Sequence, residues 1–281
     1  MSPILAITKR NLLNFIRNKG RMIGSIAMAV FMMVAFSFLM KSFMISGAEQ
    51  SANYLISGVI IMTVFQTCIN NSSDILADIA TGYMKEVMVA PVSRFEIALG
   101  NVLSGALIAT LQGILVTLIS FFLGFRVGIV QLIMMVIIMF VSAITFSSIG
   151  LFIATAARNS TSFQTFSSMI MMPLTFVSGA YIPTTAMPKF LLPVVYLNPL
   201  TYVTSIFRYI TIGIGTININ EQIRQGIAFL IHGIVITPFM GLLIIVLIGV
   251  FFVQLCIKKF NKADFSTVKV AKAIGGGNPM N

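Results

Sequence analysis

Seven stretches of 18 or more residues contain no Asp, Glu, Lys or Arg: 22–40, 50–73, 97–125, 127–157, 159–188, 190–207 and 225–257. No other feature restricts the fold as strongly. A helix that crosses a bilayer needs roughly 20 mostly apolar residues, whereas a soluble domain spends about a quarter of its residues on charges. Here only 9% of the 281 residues are charged and 58% are hydrophobic. Eighteen basic and seven acidic side chains cannot cover the surface of a soluble fold this long, so apolar surface must face lipid. An ordinary cytoplasmic enzyme is excluded.

The sequence predicts an all-α membrane protein with six transmembrane helices, at about 22–40, 53–73, 96–123, 130–156, 160–180 and 228–256. The interval 190–207 holds Pro193 and Pro199. Proline removes a backbone donor that lipid cannot replace, so this segment is expected to lie at a surface or re-enter. The chain then reads as one membrane domain over 1–281. Residues 1–21 form an amphipathic leader, 22–180 five spans with a turn at 74–94, 181–227 an outer segment, 228–256 the sixth span and 257–281 a tail. The apolar stretch 22–40 is longer than the roughly 7–15 residues of a signal-peptide core. An uncleaved first span is expected despite the small residues Ser46-Gly47-Ala48.

Orientation follows from the basic residues. Six crossings put Lys9, Arg10, Arg17, Lys19, Arg21, Lys85, Arg94, Arg158, Lys258, Lys259, Lys262, Lys269 and Lys272 on the side of both termini. Lys41, Arg126, Lys189, Arg208 and Arg224 fall on the other, so both termini are predicted cytoplasmic. The net charge of +11 is thereby an orientation signal, and no nucleic-acid partner is implied. Cys68 and Cys256 sit far apart in apolar runs, which argues against a disulfide framework or a metal site.

Three segments stand outside the spans. In 3–21, Leu5, Leu12, Phe15 and Ile16 recur near helical spacing among five cations, the pattern of a helix in the headgroup layer. It is either a plain topology signal or an elbow that passes motion to the first span. In the turn 74–94, Ile79, Tyr83, Met84, Val87 and Met88 fall on one helical face, with Lys85 and Glu86 opposite and Pro91 as a stop. Such a face suits docking of a partner, or packing back on the bundle. The outer segment carries Tyr181, Tyr196, Tyr202 and Tyr209 and is expected to dip into the outer leaflet as short broken helices, either a plug or the wall of an exit path.

Together these residues resemble the membrane subunit of ATP-binding-cassette transporters, in the type-2 permease family of drug, polysaccharide and lipid exporters. The likeness rests on Lys85-Glu86-Val87-Met88-Val89-Ala90-Pro91-Val92-Ser93-Arg94. It rests also on Pro173, Ser178-Gly179-Ala180-Tyr181-Ile182-Pro183 and Pro188, and on Asn198-Pro199-Leu200-Thr201-Tyr202 with Arg208 beyond. It implies a six-span half-transporter that pairs with a second permease chain and recruits two copies of a cytosolic ATPase. In that family the 74–94 turn is the coupling helix, residues 3–21 the elbow, and the outer segment the re-entrant helices. The implied cargo is an amphiphilic small molecule, a drug or lipid, moved across a bacterial cell membrane.

No phosphate-cradling G-x-x-x-x-G-K-[ST] loop occurs; Gly100 and Gly105 have the glycine spacing but are followed by Ala106 and Leu107. No cofactor is therefore expected on this chain; ATP and Mg belong to the partner ATPase. Asp74, Asp78 and Glu96 read as boundary residues and His232 as an interface histidine, so an ion-coupled transporter or channel is the rival reading. An intramembrane enzyme lacks any motif. Gln66, Asn70 and Gln112 are candidates for a polar translocation path, as are Gln164, Thr165, Ser167 and Ser168, although bonding between helices is the simpler role. Met32, Met33, Met134, Met135, Met171 and Met172 offer adaptable apolar surface or lipid-facing filler. Pro173 and Pro238 are expected to kink the fifth and sixth spans, the former as a hinge for an outer gate.

Overall fold

The computed structural model describes residues 2–43, 48–157, 159–181, 184–212, 218–231 and 234–262. Pro183, His232, Arg158, Lys269, Lys272 and the small-residue pair Ser46-Gly47 lie outside the described residues, as do the side chains of Lys41, Lys85, Met88 and Lys262.

The order is α1 (Pro3–Arg17), α2 (Lys19–Phe43), α3 (Ala48–Ser72), α4 (Asp74–Ala80), α5 (Tyr83–Val89), α6 (Arg94–Phe122), α7 (Ile129–Ala156) and α8 (Ser160–Val177). After two 3-10 turns come α9 (Leu192–Leu197), α10 (Pro199–Ile212), α11 (Ile219–Arg224), the strands β1 (Phe229–Ile231) and β2 (Ile234–Ile236), and α12 (Pro238–Lys262). Among the described residues, four helices are long and apolar enough to cross a membrane: Asn53–Ala80, Arg94–Phe122, Ile129–Ala156 and Pro238–Lys259. A fifth candidate is the pair Lys189–Leu197 and Pro199–Ile212, bent by 86°. The first and fifth expected spans, α2 and α8, are not among the four. α8 spends its first half on Ser, Thr and Gln, and the side chains of α2 beyond Phe38 are not described.

The α3–α4 run is the axis of the bundle, with 89% of its most apolar window buried, whereas α12 buries only 22% and turns most of its surface outward. α6, α7 and α10 surround the axis, and Phe65 of α3 meets Phe146 of α7 edge-on at 4.7 Å. Local chemistry sets the helix starts. Ser93 and Glu96 form a capping box at α6, with the Glu96 carboxylate accepting from the Ser93 N–H at 2.9 Å, a device that stabilises a helix by about 1 kcal/mol. Asn159 caps α8 by accepting from the Ser162 N–H at 2.7 Å.

Two expectations require correction. The sixth span does not begin at 228 but at Pro238, and Phe229–Ile231 pairs antiparallel with Ile234–Ile236, Phe229 opposite Ile236. The β-branched Ile231, Ile234, Val235 and Ile236 favour strand. Pro238 occupies the first helical position, where its missing N–H costs nothing, so it starts α12 instead of kinking it. Among the described residues the chain is thus mostly helical with one antiparallel pair of short strands. The turn at 74–94 is also not one helix. Gly82 has φ 84°, a conformation open to glycine, and it divides α4 from α5. Ile79 consequently belongs to the inner end of the α3–α4 run and not to the helix that carries Tyr83.

Candidate functional site

A groove of about 960 Å³ lies between α2, α3 and α8. Gln66 and Asn70 line it from α3 and Gln164 and Ser168 from α8, each pair four residues apart and therefore on one helical face. All four side chains are exposed and have no hydrogen-bond partner among the described residues. Lipid cannot satisfy an amide, so such side chains at membrane depth require water or a polar ligand in the groove. Met28, Met32, Met62, Met171 and Met172 supply the apolar wall, while Met33 and Met135 are fully buried in the core and Met134 is exposed. Gln112 stands behind the wall: its carbonyl accepts from the Thr67 hydroxyl at 3.1 Å and its amide donates to the Ser25 hydroxyl. Gln66 and Asn70 thus face the groove, whereas Gln112, 1% exposed, braces it by interhelical bonding.

Beside the start of α3, three side chains of the bent pair bond carbonyls at the end of α8. The Asn198 amide donates to the Leu174 carbonyl at 2.7 Å, the Thr204 hydroxyl to that of Ser178 at 3.1 Å and the Arg208 guanidinium to that of Ala180 at 2.7 Å. Asn198 also accepts from the Leu200 N–H at 3.0 Å, capping α10 where Pro199 begins it. The Tyr202 hydroxyl donates to the Tyr196 carbonyl at 2.6 Å, which ties α10 back to α9. Gly179, at φ 83°, lets the chain turn between these bonds. The Arg208 guanidinium stacks 3.4 Å from the centre of the Tyr54 ring on α3 and is 1% exposed. It is a buried cation held by a carbonyl and an aromatic face, not the surface charge of the orientation count. A Cβ on Gly58 would collide with the Ala180 carbonyl oxygen, so glycine there permits α3 and this corner to touch. Pro173 lies inside α8 and is exposed, and Pro188 precedes the second 3-10 turn.

At the inner end, a rim of ion pairs joins distant segments. Arg10 of α1 makes two bonds to the Asp78 carboxylate, at 2.6 and 2.7 Å, and its guanidinium lies 3.7 Å from the centre of the Tyr83 ring. The Asp78 bond, aided by the nearby Tyr83 and Asp74, lifts the Arg10 pKa further above its already high value, so the cation persists at any physiological pH. Arg21 binds Asp74 at 2.9 and 3.0 Å and Asn71 at 2.7 Å. The α1 helix is also fixed to α6, where Asn11 donates to Asn101 and Ser104 at 3.2 and 3.0 Å.

The apolar face expected on the 74–94 turn is largely directed inward. Met84 is 2% exposed, and Ile79 and Val87 pack against the core. Among the described side chains of α5, Glu86 and Val89, the latter at 89% exposure, are open. Inward packing wins because the bundle offers Met84 a dry contact before any partner arrives. Sequence reasoning missed Tyr54, Gly58, Thr204 and the Arg10 and Arg21 pairings. One signal did exist: Asp74 and Asp78, four apart at a membrane boundary, share a face that calls for two cations.

A multi-helix membrane bundle with a polar-lined groove and a bent helix pair is compatible with a transport permease. Residues 3–212, from α1 through α10, match the ABC-2 type transporter family, and the chain belongs to that family as a membrane permease subunit. It is 30% identical over 166 residues to the inner membrane transport permease YadH of Escherichia coli (strain K12), 58% of this chain and 64% of that relative. The match thus spans less than two thirds of the relative's length. The putative transport permease ycf38 of Cyanophora paradoxa is 24% identical over 215 residues, 75% of this chain and 74% of that protein. Nodulation protein J of Azorhizobium caulinodans is 32% identical over 103 residues, 37% and 40% of the two chains.

Proposed function

We propose that this chain is the permease half of an ATP-driven exporter in a bacterial inner membrane, moving an amphiphilic small molecule such as a drug or lipid. A second permease chain, identical or related, completes the path, and two copies of a separate cytosolic ATPase hold ATP and Mg. This reading includes six spans, α2 and α8 among them, with both termini cytoplasmic, the elbow at α1 and the re-entrant pair α9–α10 outside. The inner-membrane location follows the name of the Escherichia coli relative.

The observation that carries the proposal is the groove. Its two unpartnered polar rows face a methionine wall, which suits a cargo with hydrogen-bonding groups on an apolar body. The rim supplies the drive. Glu86 and Val89 are presented to the ATPase, and the Tyr83–Arg10–Asp78 cluster relays its movement to the elbow and the α3–α4 run. Pro173 is the hinge below the α8–α10 corner, which moves outward as one piece because three side-chain bonds tie it together.

The test reconstitutes the chain in vesicles with a cognate ATPase and follows amphiphile efflux. ATP-dependent efflux that falls at least tenfold in a Gln66→Leu/Asn70→Leu variant of unchanged membrane insertion supports the proposal. Efflux that ignores ATP depletion but collapses with a proton uncoupler overturns it in favour of ion coupling.

A further inference from the structure

Apart from the groove, α7 and α12 line a second crevice of about 370 Å³. That volume lies within the ~300–1,000 Å³ range of small-ligand pockets. Six of its eight lining residues are aliphatic or glycine, and the Thr145 hydroxyl is spent on the Ile245 carbonyl at 3.2 Å. Only Gln254 brings a free polar group, exposed and without a hydrogen-bond partner among the described residues.

The position of that amide is informative. Val246, Val250, Gln254 and Lys258 follow one another at four-residue spacing and so form a single stripe along α12, apolar at one end and cationic at the other. Lys258 is exposed and forms no ion pair among the described residues. Beside it the Lys259 ammonium reaches across to α7, 4.5 Å from the centre of the Phe152 ring. From Val246 to Lys258 the helix rises about 18 Å at 1.5 Å per residue, close to the ~15 Å of one leaflet's hydrocarbon. Among the described residues, Asp74 and Asp78 are each paired with an arginine, Arg21 and Arg10, and not with Lys258.

We infer that the α7–α12 crevice binds one anionic phospholipid, its acyl chain along Val250 and its phosphate held by the Gln254 amide and the Lys258 ammonium. A depth of one leaflet, an apolar lining and two donors at the charged end match that molecule in length, polarity and sign. The lipid belongs to the leaflet that holds Lys258. The inference requires only that α12 crosses the bilayer and is independent of ATP-driven export.

The experiment is native mass spectrometry of the full chain in detergent, titrated separately with phosphatidylglycerol, with phosphatidylcholine of the same acyl chains and with glycerol phosphate. Expected is tighter binding of phosphatidylglycerol than of phosphatidylcholine and none of glycerol phosphate. Lys258→Gln should weaken phosphatidylglycerol about fivefold and leave phosphatidylcholine unchanged, while Val250→Phe, which fills the crevice, should weaken both lipids. Lys189→Gln, at an exposed lysine in the second 3-10 turn, should change nothing. Equal binding of the two lipids, or equal losses in Lys258→Gln and Lys189→Gln, overturns the inference. Binding of glycerol phosphate as tight as that of the lipid overturns the role of the acyl chain.

Discussion

Removing either member of the Arg10–Asp78 pair should cost stability and coupling together, and the two losses should not add. The pair has two bonds of 2.6 and 2.7 Å, and the side chains are 30% and 17% exposed. Exposed pairs contribute about 0.2–1 kcal/mol, and breaking a fully buried one costs about 3–5 kcal/mol. A half-buried, bidentate pair falls between, at about 2 kcal/mol for Arg10→Gln or Asp78→Asn. Arg10→Gln also forfeits the Tyr83 stacking, about 0.5–1 kcal/mol. In a chain of this size each kcal/mol moves the melting midpoint by roughly 2–4 °C, so Asp78→Asn should melt about 4–8 °C lower and Arg10→Gln about 5–12 °C lower. The double variant should melt close to Arg10→Gln alone, a coupling energy of about 1–2 kcal/mol. The assay is thermal unfolding in detergent, paired with the ratio of cargo-stimulated to basal ATP turnover in the reconstituted complex. Losses that add to within ~0.5 kcal/mol would show that the residues act independently and would refute the reasoning. A coupling ratio unchanged in all three variants would reduce the rim to a structural clasp.

Gly58→Ala drives a methyl group into the Ala180 carbonyl; a backbone collision of this kind should cost about 1–3 kcal/mol and lower the melting midpoint by several degrees. Asn198→Ala removes a donor to Leu174 and the acceptor that caps α10. A loss of about 1–2 kcal/mol should appear in thermal unfolding, with faster cysteine labelling at position 178. Pro173→Ala restores a backbone donor in α8 and should slow efflux while ATP turnover persists; unchanged transport and turnover would remove the hinge from the mechanism.

The outer corner shows how far the sequence could be read. Pro173, Ser178, Gly179, Asn198 and Arg208 stand out through the resemblance to type-2 permeases, yet nothing in their order says that Asn198 grasps Leu174 or that Arg208 grasps Ala180. Those bonds link residues 24 and 28 positions apart across a sharp bend. The groove is half legible in the same sense. Gln66 and Asn70 share a face by periodicity, whereas their meeting with Gln164 and Ser168 depends on how α8 lies against α3. The 74–94 turn could not be resolved from sequence, because an apolar stripe has the same pattern whether it faces a partner or its own bundle; the structure turns Met84 inward and breaks the helix at Gly82.

The sequence alone determined that the chain is a membrane protein, and where its long helices α3, α6 and α7 run. Burying a charge in hydrocarbon is so costly that uncharged intervals mark spans without any tertiary information. Only the tertiary structure decided that Pro238 opens a helix, that Met84 points inward, and that Arg10 meets Asp78 across 68 residues. Such pairings depend on which faces the packed helices turn to one another, and a one-dimensional pattern fixes a face without naming its neighbour.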